Sequence, residues 1–315
     1  MNQAKFSPAV FVLRKNIGFS MKIGWIGTGV MGSSMCMHLM KAGHSISVFN
    51  RTASKTDLLV KQGAKFCDPK TIAKESDAVI LMLGFPHDVR DVVLGNNGIL
   101  AEMKPNSYLI DHTTSSPQLA KEIHDCAKEK NIFSYDAPVS GGDTGAKAGK
   151  LVTMVGGLAS HYSFVESLFN VYSIQVKLMG GPGCGQHTKM ANQIAIANNM
   201  IGVVECLLYG YKAGLDLPEL IDLIKNGAAG SFSLQNLGVR MLKRDFAPGF
   251  YVEHFLKDIR LALNEANRMG LSLPGLSTAS VFYNSLIQNG GAKDGTQALL
   301  KTLEQLNNIE LPKYD

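Results

Sequence analysis

Lys189 is followed at i+3 by Asn192 and at i+4 by Gln193, so on a helix the three side chains share one face. Around them stand apolar or small residues, Met190, Ala191, Ile194 and Ala195. An amine partly shielded from water loses some stability of its charged form and moves toward neutral pKa, which suits a group that gives and takes a proton near pH 7. A lone helical lysine more commonly snorkels at the surface, and the residues by themselves leave both readings open. Two other stretches set polar groups where a core would not want them. One is Asp111-His112-Thr113-Thr114-Ser115-Ser116-Pro117; the other is Asp136-Ala137-Pro138-Val139-Ser140-Gly141-Gly142. The step Ser140-Gly141-Gly142 offers N–H groups and a hydroxyl, a geometry suited to a carboxylate. Loop capping would explain either stretch equally well.

These residues need a scaffold, and the scaffold announces itself at Gly27-Thr28-Gly29-Val30-Met31-Gly32, directly after the apolar run Lys22-Ile23-Gly24-Trp25-Ile26. The pattern reads as a strand feeding a glycine-cornered turn that opens a helix. The first glycine permits the turn, the second lets the backbone approach a pyrophosphate, and the third packs helix on strand. The helix runs through Met35, Leu39 and Met40 to a C-cap at Gly43, and a second strand follows at Ser45-Ile46-Ser47-Val48-Phe49. In such a unit an acidic residue about 20 positions past the glycines binds a ribose 2′-hydroxyl, whereas an arginine accommodates a 2′-phosphate. Here the strand ends Asn50-Arg51-Thr52, with Ser54 and Lys55 beyond. Arg51 can fork onto phosphate oxygens with Asn50 and Thr52 as further donors, although Asn, Thr and Ser also make plain solvated turns. The expectation is NADP(H) in preference to NAD(H).

Strand-like runs then alternate with helical patterns at 78–83, 107–111 and 133–136, predicting a parallel doubly wound sheet with chemistry at the carboxyl ends of its strands, and two more strand candidates follow at 151–155 and 174–178. Gly180-Gly181-Pro182-Gly183 breaks the pattern. A helix from about Gly185 to Ala213, closed by Gly214, follows, and further helical segments fall at 217–226, 232–243, 251–269, 275–289 and 295–307. The fold class expected is an α/β Rossmann-type doubly wound sheet followed by an all-α C-terminal domain built on a long interdomain helix. Its divisions are an N-terminal extension at 1–20, a dinucleotide-binding domain at 21–182 and a helical substrate and dimerisation domain at 183–315.

With 315 residues, two domains are expected. The net charge of +5 is spread out, which suits anionic ligands and gives no stripe for nucleic acid. Five cysteines lie without C-x-x-C spacing, arguing for a reducing compartment and against a disulfide framework or a metal site. Residues 1–20 carry Lys5, Arg14 and Lys15, no acid, and the short apolar patch Phe11-Val12-Leu13. They read as a transit segment to an organelle such as the mitochondrion, or as an extension ahead of a start at Met21 in a cytoplasmic protein; the second reading is taken. They are too short and interrupted to span a membrane.

Taken in order, Gly27–Gly32, Asp111–Pro117, Asp136–Gly142 with Gly145, Gly185–Gln193 and Phe255-Leu256-Lys257-Asp258 resemble the β-hydroxyacid dehydrogenase family, which includes 3-hydroxyisobutyrate dehydrogenases, tartronate semialdehyde reductases and glyoxylate/succinic semialdehyde reductases. The resemblance covers Met21 to about Leu306. It implies Lys189 as catalytic acid/base, Ser140, Gly141 and Gly142 on a substrate carboxylate, and Asn192 and Gln193 on a substrate hydroxyl, with Asn-Gln standing where many members have two asparagines. It implies Thr114 beside the nicotinamide ribose, Leu83 and Gly84 along the cofactor path, and Lys257 reaching the nicotinamide end. It further implies a homodimer or homotetramer acting on a small carboxylate-bearing substrate, with no nucleic-acid or membrane partner. Phe232 packs over substrate or, more ordinarily, in a core; Cys184, His187 and His112 are bystanders. Two rival readings are an imine reductase on the same scaffold, which usually lacks the lysine, and a non-catalytic NADP-binding redox sensor, which needs none of Lys189, Asn192 and Ser140.

Overall fold

The computed structural model describes residues 20–314; the extension expected at 1–20 lies, but for Ser20, outside the described residues. The first half alternates strand and helix: β1 (Lys22–Ile26), α1 (Val30–Lys41), β2 (Ser45–Phe49), α2 (Asp57–Lys61), β3 (Lys65–Phe66), α3 (Pro69–Glu75), β4 (Ala78–Leu81), α4 (Pro86–Leu94), β5 (Tyr108–Asp111), α5 (Pro117–Glu129) and β6 (Phe133–Asp136). The chain continues through β7 (Val139–Ser140), α6 (Gly142–Ala148), β8 (Leu151–Gly156), α7 (Tyr162–Phe169) and β9 (Ser173–Gly180). Helix starts are written in the sequence. Asp68 and Ser116 cap α3 and α5 with their side chains, and Pro69 and Pro117 occupy the first turns where a missing N–H costs nothing. Gly43, at φ 96°, ends α1 in the left-handed conformation that its lack of a Cβ permits.

Nine strands form one sheet in the order β3-β2-β1-β4-β5-β6-β8-β7, with β9 also on β8. The first six are parallel. The parallel doubly wound sheet departs from parallel pairing at one place, where β8 runs antiparallel to both β6 and β7. Asp136 pairs with Gly156, Val139 with Thr153 and Ser140 with Val152, so β6 and β7 follow β8 in one register, broken only at Ala137-Pro138. A parallel return needs a crossover of a dozen or more residues. The chain instead spends this stretch on β7 and the seven-residue α6, then turns back at Gly149 (φ 66°). Side chains alternate across the sheet. Ile80 and Ile110 join Trp25, Leu39 and Phe169 on one face, while Val79, Leu81 and Leu109 join Ile72 and Ile123 on the other.

The second half is helical: α8 (Cys184–Lys212), α9 (Leu217–Ile224), a π-helical turn at Ser233–Gly238 running into α10 (Val239–Leu242), α11 (Val252–Arg268), α12 (Pro274–Gln288) and α13 (Leu299–Asn307). Helix α8 spans 29 residues. Met200, Val204 and Leu207 of α8 pack with Phe255, Ile259, Tyr283 and Leu303 in a third apolar core. Each large side chain so buried contributes about 1.5–3 kcal/mol of transfer free energy.

Candidate active site

The glycine turn after β1 is built as its spacing implies. A Cβ on Gly27 would stand 2.2 Å from the Met82 carbonyl, and one on Gly32 would stand 2.1 Å from the Gly27 carbonyl, which also accepts the Trp25 indole N–H at 2.9 Å. A Cβ on Gly29 would meet nothing within 4 Å. The first turn of α1, with Val30 exposed and Met31 half-buried, therefore opens an unobstructed face beside its unpaired N–H groups. Thr28 donates its N–H to Asn50 Oδ1 at 3.1 Å, and its own hydroxyl is buried without a partner. An orphaned donor next to an open helix N-terminus fits a dinucleotide phosphate. At the end of β2, Asn50 turns its amide onto the Thr52 carbonyl, and Arg51 reaches outward.

Helix α8 begins at the carboxyl ends of β6 and β8. The Asp136 carboxylate accepts N–H bonds from Gly183 and Gln186, both at 2.8 Å, so a sheet residue caps this helix. Gln186, wholly buried, ties the Ser115 N–H and the Thr113 carbonyl to the same turn. One turn on, Lys189 is buried at 6% exposure, with Nζ donating to the Val139 carbonyl at 2.9 Å. Burial lowers the amine to about 8; nearby Asp258 works against that shift and Lys257 adds to it. Lys189 thus stands beside Ser140, the neighbour of its carbonyl partner.

Asn192 donates to Gln193, whose own amide donates to Asp258 Oδ2 at 2.7 Å. Both ends of the Gln193 side chain are engaged within the protein. Asp258 Oδ1 lies 3.1 Å from Lys257 Nζ, which donates to the Thr114 carbonyl at 2.6 Å. This chain of contacts gathers Lys189, Asn192, Gln193, Lys257 and Thr114 where α11 meets the strand ends. Leu83 donates its N–H to the Thr113 hydroxyl, and Gly84 faces His254 of α11. Gly141 and Gly142 both take positive φ, 129° and 62°, turning the chain from β7 into α6. Asn50, Arg51 and Thr52 stand apart, at the β2 end of the sheet. His112 belongs to the core: its nitrogens meet the Ala137 carbonyl and the Tyr172 hydroxyl, and burial holds it down at about 4. Phe232 is 66% exposed, so it does not pack in the core. Sequence reasoning did not single out Asp258, Asp136 or Gln186. All three stand inside quoted motifs, but what they do rests on contacts with residues far along the chain.

Residues 22–181 match the family profile described as the NAD binding domain of 6-phosphogluconate dehydrogenase, and residues 183–303 match NAD-binding of NADP-dependent 3-hydroxyisobutyrate dehydrogenase. Probable 3-hydroxyisobutyrate dehydrogenase-like 1, mitochondrial, of Arabidopsis thaliana is 51% identical over 93% of this chain and 88% of its own length. The chain belongs to the β-hydroxyacid dehydrogenase family. This β-hydroxyacid dehydrogenase is also similar to 2-hydroxy-3-oxopropionate reductase of Escherichia coli, 35% identical over 92% of this chain and all of that one. Among solved structures it resembles Mycobacterium tuberculosis 3-hydroxyisobutyrate dehydrogenase with L-serine, with a TM-score of 0.83, 28% identity, and coverage of 90% of this chain and 99% of that one. The β-hydroxyacid dehydrogenase is an NAD(P)-dependent oxidoreductase.

Proposed function

We propose that this dehydrogenase interconverts a small semialdehyde and its 3-hydroxy acid, with NADP(H) preferred over NAD(H) and Lys189 as the acid/base. The observation that carries the reading is a lysine buried at 6% exposure whose single hydrogen-bond acceptor among the described residues is the Val139 carbonyl. A lysine left in a near-dry pocket without a carboxylate on its Nζ gains no stability from its place; its remaining N–H donors face a reacting group. The bound nicotinamide supplies hydride to the substrate carbon. In the reducing direction Lys189 gives a proton to the carbonyl oxygen, and in the oxidising direction its neutral form takes one from the alcohol.

The Ser140 hydroxyl and the N–H groups of Gly141 and Gly142 hold the substrate carboxylate, one residue from the Lys189 contact. Asn192 hydrogen-bonds the substrate hydroxyl, while Gln193 relays Asp258 to Asn192 and keeps that side chain aimed. Gly27, Thr28, Gly29, Val30, Met31 and Gly32 would hold the dinucleotide, with Leu83 and Gly84 lining its path and Thr114 and Lys257 at its nicotinamide end. Arg51 with Asn50 and Thr52 would hold an adenosine 2′-phosphate. The two lobes divide into domains at 21–182 and 183–315. The reading includes a homodimer or homotetramer joined through the helical domain and a cytoplasmic location, with mitochondrial import if 1–20 is a transit segment. An imine reductase or a cofactor sensor would have no use for Lys189 in this position.

The test is turnover of purified protein with NADPH or NADH against glyoxylate and succinic, tartronate and methylmalonate semialdehydes. Lys189→Ala is expected to lower kcat by about 10²–10⁴-fold with NADPH affinity retained, as for a lost general acid. Undiminished kcat would remove Lys189 from the mechanism.

A further inference from the structure

Arg51 is 86% exposed, yet its guanidinium has a partner: Nη1 lies 3.0 Å from Oδ1 of Asp88, whose side chain is only 12% exposed. Asp88 is the third residue of α4, and its other oxygen accepts the Phe85 N–H at 3.2 Å. The carboxylate is thus fixed by the helix start, where a negative charge is favoured, while Arg51 is a long side chain reaching to meet it. His87 Nε2 approaches the same Oδ1 at 3.9 Å without closing a hydrogen bond. The turn Asn50-Arg51-Thr52 directly after β2 holds no acid, but the fold brings one to Arg51 from the start of α4.

We propose that Asp88 is a specificity-determining residue for the dinucleotide, a resident counter-ion that an adenosine 2′-phosphate must displace from Arg51. The proposal rests on the reading of Arg51 as the contact to the adenosine 2′ group. A 2′-phosphate seated on the guanidinium meets the charge of Asp88, whereas a 2′-hydroxyl meets no such repulsion. Displacement is feasible because exposed ion pairs are weak and a phosphate offers the guanidinium a bidentate alternative. Asp88 accordingly narrows the advantage of NADP(H) over NAD(H) below what Arg51 alone would give.

Asp88→Asn removes the charge and keeps an oxygen for the Phe85 N–H; Asp88→Ser, with a hydroxyl in the capping position, serves as a second variant if the first folds poorly. Calorimetric binding of 2′,5′-ADP and 5′-AMP reads the 2′-phosphate directly, and kcat/KM with NADPH and NADH reads it in turnover. The neutral variants are expected to bind 2′,5′-ADP about two- to fivefold more tightly, the scale of one exposed charge pair, with 5′-AMP unchanged and the NADPH/NADH ratio rising in step. Arg51→Ala is run alongside. If it abolishes the preference for 2′,5′-ADP while the Asp88 variants leave that preference at the wild-type value, the role of Asp88 is overturned and the reading of Arg51 stands. If Arg51→Ala leaves the preference intact, both are overturned.

Discussion

At Lys189 the chemistry and the stability of the protein pull in opposite directions. Its amine is lowered from 10.5 to about 8, first by burial, so charged and neutral forms are both accessible near neutral pH. On the proposed mechanism reduction uses the charged form, and its rate is expected to fall as pH rises through about 8; oxidation uses the neutral form and rises through the same limb. Asp258 favours the ammonium, so Asp258→Asn should move that limb to lower pH, measured as kcat/KM against pH; an unmoved limb would separate Asp258 from Lys189. The same shift affects folding. The folded state binds fewer protons than the unfolded chain between about 8 and 10.5, so stability rises with pH across that window and the full cost of the buried charge is present below it. Lys189→Met should therefore stabilise the protein at pH 7 by about 1–3 kcal/mol, with the gain shrinking toward pH 10, read from thermal melts at both pH values. From the sequence, the register of Lys189, Asn192 and Gln193 was visible and the burial was not. Burial is made by β7 and α11, which arrive from 50 and 65 residues away to place Val139 and Asp258 on this face. Asp88 was invisible for the same reason, since only the folded sheet sets it beside Arg51.

Among the elements, the turn between β1 and α1 separates two kinds of glycine. Gly32 is demanded by the protein itself, because a Cβ there would strike the Gly27 carbonyl and approach the Trp25 indole nitrogen. Gly29 is not: its backbone is extended, with φ −67°, and the space beyond it is open. Gly32→Ala is expected to lower the melting temperature markedly, by overpacking worth about 1–3 kcal/mol. Gly29→Ala should melt like wild type and lose dinucleotide affinity at least tenfold in a fluorescence titration; retained affinity would place the pyrophosphate elsewhere. Most elements were legible because their signals are local: apolar runs for β1, β2 and β4, the glycine turn ahead of α1, and Gly214 after α8. The direction of β8 was not, because a run such as Leu151–Val155 reads alike in either sense. What decides it is that β7, only two residues long, claims the edge of β8 first. The two-residue β3 also carries no periodic signal of its own, whereas the π-helical turn at 233–238 falls within the helical segment expected at 232–243.

Across the whole molecule, helix α8 holds the two lobes to each other. It is apolar over an 18-residue window, with mean hydropathy 1.3, yet only 39% of that window is buried. Ala191, Ala195, Gly202 and Tyr209 lie exposed along it. The proposed homo-oligomer would cover this face, and light scattering should give two or four times 34.0 kDa; a monomer at micromolar concentration would refute it. Gly202→Arg should then dissociate the assembly without unfolding the chain, since no atom lies within 4 Å of a Cβ at that position. The start of α8 has a mechanical consequence. Its first turn is fastened to Asp136, and the chain enters it through Gly183 at φ 87°, so any rocking of the helical lobe has its pivot there. Lys189 sits six residues along, about 9 Å from that pivot, on a short lever arm. On the proposed mechanism, an opening of the lobes about that point would exchange one small acid for another while moving Lys189 little.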